Sequence, residues 1–454
     1  MNRRQFNKTA LFAGGTALFG SAAVRLTRAT QAVAQSFPSL PSPENSGVEH
    51  IVAVTMENRS FDHFFGWMVN AEGKQAGLTY LDPKGVAHPT YSLSGNYTGC
   101  PGADPDHSYT GARIEYDGGK MDGFLLDTAN DTYCIGYYEP KDIPFYSALA
   151  LTYTTCDNYF VSILGPTFPN RMFIHAAQTD RLDDSVSLTS LPTIWDRLAA
   201  AGVSHAYYFN NVPYLVLWGT KYLGITRTYS QFLADAAAGT LPAVSFLDPR
   251  YTILDDGTGN DDHPHADIRE GDKFLHDVFE AVSKGPDWSS TVLIVNFDEW
   301  GGFFEHIPPP RAQAANNVDP DIVNGKTLLG LRVPVVVASP WSAGNPANPT
   351  VSSLVFDHTS VLKLIEWRWG LSPLTPRDAS SDVNNLAYAL NFDHPQIAVP
   401  ALPKPHTPFF VLPCFQDLLI GLFSSDAVPT ASATKAAVWN QLRAMAQQHG
   451  FPAQ

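Results

Sequence analysis

Short apolar runs alternate with longer amphipathic stretches along most of this chain. Residues 48–56, 243–247, 291–297 and 333–338 are dominated by apolar side chains, as in Thr291-Val292-Leu293-Ile294-Val295-Asn296-Phe297. Runs of that length predict strands covered on both faces, as in parallel sheets. Between them the period becomes helical. In 270–284, Phe274, Leu275, Val278, Phe279 and Val282 share one face, and 356–369 is spaced similarly. The order strand, insertion, helix, strand, helix, strand, helix predicts an α/β sandwich with a mostly parallel central sheet. Residues 70–140 are polar, Gly-rich and aromatic, and predict a loop-rich insertion. Residues 370–432 are irregular and Pro-rich. A last amphipathic helix, with Val438, Leu442 and Met445 on one face, ends near Gly450.

The first 34 residues have a different pattern. Arg3-Arg4 precede Gln5-Phe6-Asn7-Lys8, then a weakly apolar run from Thr9 to Val24, then Ala32-Val33-Ala34. This predicts a cleaved export signal of the twin-arginine type, with 35–47 as a linker and 48–454 as one catalytic domain. The run is about 16 residues, short of the ~20 a spanning helix needs. No later segment is long and apolar enough to cross a bilayer, so no integral membrane segment is expected in the mature chain. The expected location is the periplasm or the exterior.

Charge narrows the partners. The chain of 454 residues carries a formal net charge of −15. Arg3, Arg4, Lys8, Arg25 and Arg28 all lie in the leader, so its removal makes the charge more negative still. A chain this acidic is a poor nucleic-acid binder. The four cysteines, Cys100, Cys134, Cys156 and Cys414, form no C-x-x-C pair, which argues against a zinc knuckle.

Candidate chemistry sits where apolar runs stop. Glu57 and Asn58 directly follow the run 48–56, and Asp298 and Glu299 directly follow 291–297. Ligands of α/β sheets gather at such strand ends. Adjacent acids among Trp300, Phe303 and Phe304 call for a counter-charge, and oxygen donors suit a hard cation. Thr167 precedes Phe168-Pro169. Pro169 can open a helix, which places Thr167 just ahead of a helix N-terminus where an anion is favoured. A hydroxyl there can attack phosphorus, though a plain turn or cap role is also open. His263 and His265 flank Pro264 in a polar loop, and His107 ends Asp104-Pro105-Asp106-His107. These are candidate acids, bases or phosphate donors.

Four long motifs, in order, resemble one family. They are Glu57 to Gly66 (E-N-R-S-F-D-x-x-x-G), Thr167 to Arg171 (T-x-P-N-R), Asp298 to His306 (D-E-x-x-G-x-x-x-H) and Gly330 to Trp341. The chain resembles the bacterial phosphoesterase family of phosphatidylcholine-type and non-specific phospholipases C and an acid phosphatase, within the alkaline phosphatase superfamily. The resemblance implies an alkaline-phosphatase-like three-layer α/β/α sandwich. It implies one divalent cation (Ca, Mg, Mn or Zn) held by Glu57, Asn58, Asp298, Glu299 and Thr167. Thr167 would also be the nucleophile, with His107, His263 and His265 around the phosphate. The acid-phosphatase branch typically uses serine and an Asp-Asp pair. Thr167 and Asp298-Glu299 are closer to the phospholipase C pattern.

The expected activity is hydrolysis of a phosphodiester, a phosphatidylcholine-like phospholipid, through a phosphothreonine. The insertion tyrosines Tyr109, Tyr116, Tyr133, Tyr137 and Tyr138 would be candidates for a choline cage. The alternatives are a broad-specificity acid phosphatase and a non-catalytic exported Ca-binding protein. A sulfatase is disfavoured, since no Cys or Ser stands in a C/S-x-P-x-R arrangement.

Overall fold

All four apolar runs become strands of one sheet. A computed structural model describes residues 39–254, 259–406 and 431–452; the leader and Cys414 lie outside them. The eight strands are β1 (His50–Met56), β2 (Thr154–Cys156), β3 (His205–Phe209), β4 (Thr226–Thr228), β5 (Val244–Leu247), β6 (Thr291–Phe297), β7 (Val335–Ala338) and β8 (Val351–Ser352). Their spatial order is β8-β2-β7-β6-β1-β5-β3-β4. The pairs β6-β1, β1-β5, β5-β3 and β3-β4 are parallel, as is β8-β2. β7 runs antiparallel to both neighbours, which the apolar pattern could not reveal.

Every residue of β6 is buried, as is β1 after His50, so both faces of the sheet are covered. Helices α1 (Pro144–Thr152), α4 (Tyr229–Ala238) and α5 (Ile268–Ser283) form one packed group. Helices α2 (Thr167–Ala176), α3 (Ile194–Ala200) and α6 (His358–Trp369) form another. The architecture is the three-layer α/β/α sandwich. The expected helices at 270–284 and 356–369 are α5 and α6. The last helix, α7 (Ala431–Gln448), turns its buried face slightly from the one expected: Trp439, Leu442 and Ala446 are buried, while Val438 and Met445 are half-buried.

The insertion is less loop-like than its composition implies. It holds the short antiparallel pair Thr79–Leu81 and Ala87–Pro89, and the helix Gly111–Tyr116. Cys134 and Cys156 are buried free thiols.

One buried acid makes the fold pH-sensitive away from the strand ends. Glu366 of α6 is 6% exposed, and its Oε1 has no hydrogen-bond partner. Burial and the adjacent Asp378 push its pKa up to about 9, against a smaller opposing pull from Lys363. The folded-state pKa therefore lies above the unfolded one. Stability from this group is complete below about pH 4.5 and is lost as pH rises toward about 9. The slope across that window is about 1.4 kcal/mol per pH unit. Glu366→Gln is expected to flatten the fall in Tm between acid and alkaline buffers. Parallel Tm–pH curves for variant and wild type would refute it.

Candidate active site

The parallel strands bring three acids to one sheet edge. Met56 of β1 is in register with Phe297 of β6, so Glu57 and Asp298 leave adjacent strands side by side. Val54 of β1 pairs with Leu247 of β5, and Asp248 follows at once. All three acids are buried. The pKa of Glu57 is raised well above the usual carboxylate range, first by burial and then by the Asp298 charge. That of Asp298 is also raised, chiefly by burial.

Arg171 is the cation that answers them. It sits on α2 and is itself buried. Its Nη2 donates to Glu57 Oε1 at 2.5 Å, its Nε to Asp298 Oδ2 at 3.1 Å and its Nη1 to Asp248 Oδ1 at 2.9 Å. One guanidinium thus ties three strand ends to one helix. The planar fork of arginine permits this; a lysine could not reproduce it. The sequence placed Arg171 at the end of a motif without giving it a role. Asp248 carried the same signal as Glu57, an acid just after an apolar run, and was missed.

The turn after β6 carries the other pair. Asp298 Oδ1 accepts from the amides of Asn58 (3.2 Å) and Glu299 (2.8 Å). Glu299 Oε2 accepts from the Gly301 amide at 2.7 Å. Gly301 has φ 68°, and a Cβ there would lie 2.3 Å from the Asn58 carbonyl oxygen. Close approach of the two turns therefore requires glycine. Asn58 itself holds a left-handed φ of 56°. Two buried oxygens are left without hydrogen-bond partners, Asn58 Oδ1 and Glu299 Oε1. Orphaned buried acceptors are costly unless something else binds them. A hard cation is such a group, so the donor set fits one.

His107 of the insertion completes this side. Its Nδ1 donates to the Pro105 carbonyl at 2.8 Å, so Nε2 carries the lone pair. Asn58 Nδ2 lies 3.2 Å from that nitrogen and Glu299 Oε1 3.8 Å. Burial, then the nearby Lys435 charge, lowers its pKa to about 3. His107 is thus a neutral acceptor facing the acids. The His263 ring packs edge-on against His107, centroids 6.3 Å apart. The His265 Nε2 lies 2.9 Å from the Gly102 carbonyl oxygen.

Thr167 opens α2. The helix begins two residues before Pro169, which occupies its third position, where a missing N–H is still harmless. Pro166 is the N-cap, so Thr167 is not a capping residue. Arg171 stands four positions on, and residues so spaced share a helix face about 6 Å apart. Thr167 therefore lies on the helix face from which the guanidinium reaches Glu57 and Asp298. The expected anion at this N-terminus is partly supplied by the chain itself: the Phe168 amide donates to Asp184 Oδ1 at 2.7 Å. Burial holds the Asp184 pKa at about 6, the Phe168 amide pulling the other way. A cavity of about 600 Å³ opens beside Pro166, lined also by His107, Tyr109, Arg181, Asp184 and Lys435.

Three of the five cage tyrosines already have ring partners within the chain. Tyr133 packs on Phe303, Tyr138 packs on His63, and both are buried. The Tyr109 ring is already covered by Arg113, 3.3 Å from its centroid.

A second acidic cluster, Asp62, Glu305 and His306, lies further along the same motifs. Arg332 fills the cationic role there, donating to Glu305 Oε1 at 2.6 Å and pairing with Asp62 at 3.4 Å. The cluster is a buried network around Arg332. It also explains the length of three motifs: each sends one part to the first site or its flank and another to this clasp.

The family model described as Phosphoesterase family matches residues 48–372. Non-specific phospholipase C6 of Arabidopsis thaliana is 32% identical over 374 residues, covering 74% of this chain and 71% of that protein. Phospholipase C B of Mycobacterium tuberculosis is 31% identical over 516 residues, covering 94% of each. A solved structure from Vibrio parahaemolyticus, a protein in the alkaline phosphatase superfamily, is similar with a TM-score of 0.34 and 10% identity, over 54% of this chain and 63% of that one. The matched region holds the strand-end acids, Asn58, His107, Thr167, Arg171 and Asp248 alike, and the chain belongs to the Phosphoesterase family.

Proposed function

We propose that the chain is a metal-dependent phosphodiesterase of phospholipase C type, with Thr167 as nucleophile. The observation that carries this reading is the pair of orphaned oxygens, Asn58 Oδ1 and Glu299 Oε1, beside Glu57 and Asp298 on the Thr167 face of α2. Glu57, Asn58, Asp298, Glu299 and the Thr167 hydroxyl would hold one divalent cation. When bound, such an ion supplies charge neutralisation and favours the ionised hydroxyl. Thr167 Oγ bonds to phosphorus and the bond from phosphorus to the diacylglycerol oxygen breaks. The hydroxyl proton passes to a basic group of the site, while His107 Nε2 accepts from Lys435 and Asn58. His263, beside His107, protonates the leaving oxygen. Water then releases the phosphorylated head group from Thr167.

The likeness to phospholipases C of a plant and a bacterium supports a phospholipid substrate. Export belongs to the same reading: residues 1–34 as a twin-arginine leader, 35–47 as a linker, 48–454 as the catalytic domain with its insertion at 70–140. Among the described residues no helix is long and apolar enough to cross a membrane.

The test is a substrate panel with and without chelator: phosphatidylcholine, sphingomyelin, phosphatidylethanolamine, p-nitrophenyl phosphorylcholine and p-nitrophenyl phosphate. Faster turnover of the diesters, lost on chelation and restored by a divalent cation, is the expected result. Preference for the monoester would favour the phosphatase alternative. Stability that depends on metal with no turnover of any ester would favour a binding protein.

A further inference from the structure

The acids of the site outnumber the cations that face it, yet its substrate is an anion. Glu57, Asp298, Glu299, Asp104 and Asp184 all lie in or beside it. Arg171 is committed to three carboxylates. Arg181, which lines the cavity, is committed to Asp180 and the Ser185 carbonyl. Among the described residues that line the cavity, the other cation is Lys435, on the C-terminal helix. Lys435 Nζ lies 2.8 Å from Asp104 Oδ2 and 3.0 Å from His107 Nε2. The same His107 nitrogen touches Asn58, so the ammonium stands one side chain away from a proposed ligand.

The helix is seated firmly enough to place it. Trp439 packs on Tyr251 with centroids 4.4 Å apart, and edge-on against Phe168, the residue after Thr167, at 5.3 Å. Leu442 and Ala446 continue that buried face. Positions 435, 439, 442 and 446 follow helical spacing, so Lys435 extends the inward stripe rather than the solvent face. A lysine at an inward position costs desolvation that a neutral side chain would avoid. Burial works against its charge, but Asp104, with Asp184 and Glu299 adding, keeps its pKa above the usual lysine value. An ammonium has three N–H donors, and the two contacts use two of them. Lys435 also lines the cavity beside Pro166, where the third can be used.

We propose that Lys435 is a phosphate-binding residue of the active site, carried into it by a helix that lies beyond the family-matched residues 48–372. This rests on the phosphoesterase reading and adds to it a residue for the substrate anion. The Asp104 contact steers the ammonium, and an incoming phosphate oxygen takes the remaining donor.

The probe is inorganic phosphate, as a ligand by calorimetry and as a competitive inhibitor of p-nitrophenyl phosphorylcholine hydrolysis. Lys435→Met is expected to raise both Kd and Ki for phosphate about tenfold or more, the worth of a charge-assisted hydrogen bond. KM should rise with them, and Lys435→Arg should recover most of the loss. Lys435→Gln, which keeps a donor for Asp104 without the charge, repeats the test if the Met variant does not fold. Unchanged phosphate affinity with only a lower Tm or a smaller active fraction would make Lys435 a strut for the helix, and the inference would fall. Wild-type protein that binds phosphate but turns over no ester would overturn the proposed activity and leave the phosphate comparison intact.

Discussion

Thr167→Ala should lower kcat by at least about 10³-fold while leaving the fold in place, since removal of a nucleophile abolishes the covalent route. The two halves of that expectation have separate grounds. The fold half follows from the helix start: Pro166 is the N-cap of α2, so the threonine hydroxyl supplies no cap. Thr167 is buried, so its loss should cost about 1 kcal/mol, the centre of the range for point substitutions, and leave the fold in place. The activity half follows from position. Thr167 shares a helix face with Arg171, whose guanidinium grips Glu57 and Asp298. Thr167→Ser keeps the hydroxyl and should retain measurable turnover. Steady-state rates beside circular dichroism and Tm check both halves. An alanine variant as active as wild type would remove Thr167 from the chemistry, and mass spectrometry of quenched wild type should find phosphate on this residue.

Arg171→Met should cost on the order of 3–5 kcal/mol of stability, the range for breaking a buried ion pair from one side. Three buried carboxylates lose their shared partner at once. Each must then protonate, find water or repel the others. A divalent cation at the neighbouring donors would offset part of that charge, so the loss should be largest in chelator. Arg171→Lys should recover little, because one ammonium cannot span Glu57, Asp298 and Asp248 together. Chemical denaturation with and without metal reads the effect. A midpoint shift of under about 1 kcal/mol, as for an exposed pair, would show that the carboxylates are supported some other way.

The parts of this molecule that were legible in sequence are those where physics acts locally. Four apolar runs announced four adjacent strands, and acids at their ends announced the site. Glu57, Asn58, Asp298, Glu299 and His107 do come together. The strands Thr154–Cys156, Thr226–Thr228 and Val351–Ser352 are too short to show a period, and exist because neighbours offer them hydrogen bonds. The reversed direction of β7 leaves no trace in composition. Pro169 misled by two residues because proline is tolerated throughout the first turn. Asp184 and Lys435 meet the site only through tertiary packing, and no spacing along the chain could have joined them to Thr167.

The hydrogen bond from the Asn58 amide to Asp298 spans 240 positions of sequence. Arg171 joins its partners across 114 and 127 more. Contacts of such range form late, after the loops between them have been closed at an entropic cost. The catalytic centre therefore cannot exist before β1 and β6 have paired. A refolding chain should recover its helical signal first and its turnover only with the slowest phase. A fragment that ends before β6 can carry two of the four motifs and still have no site at all.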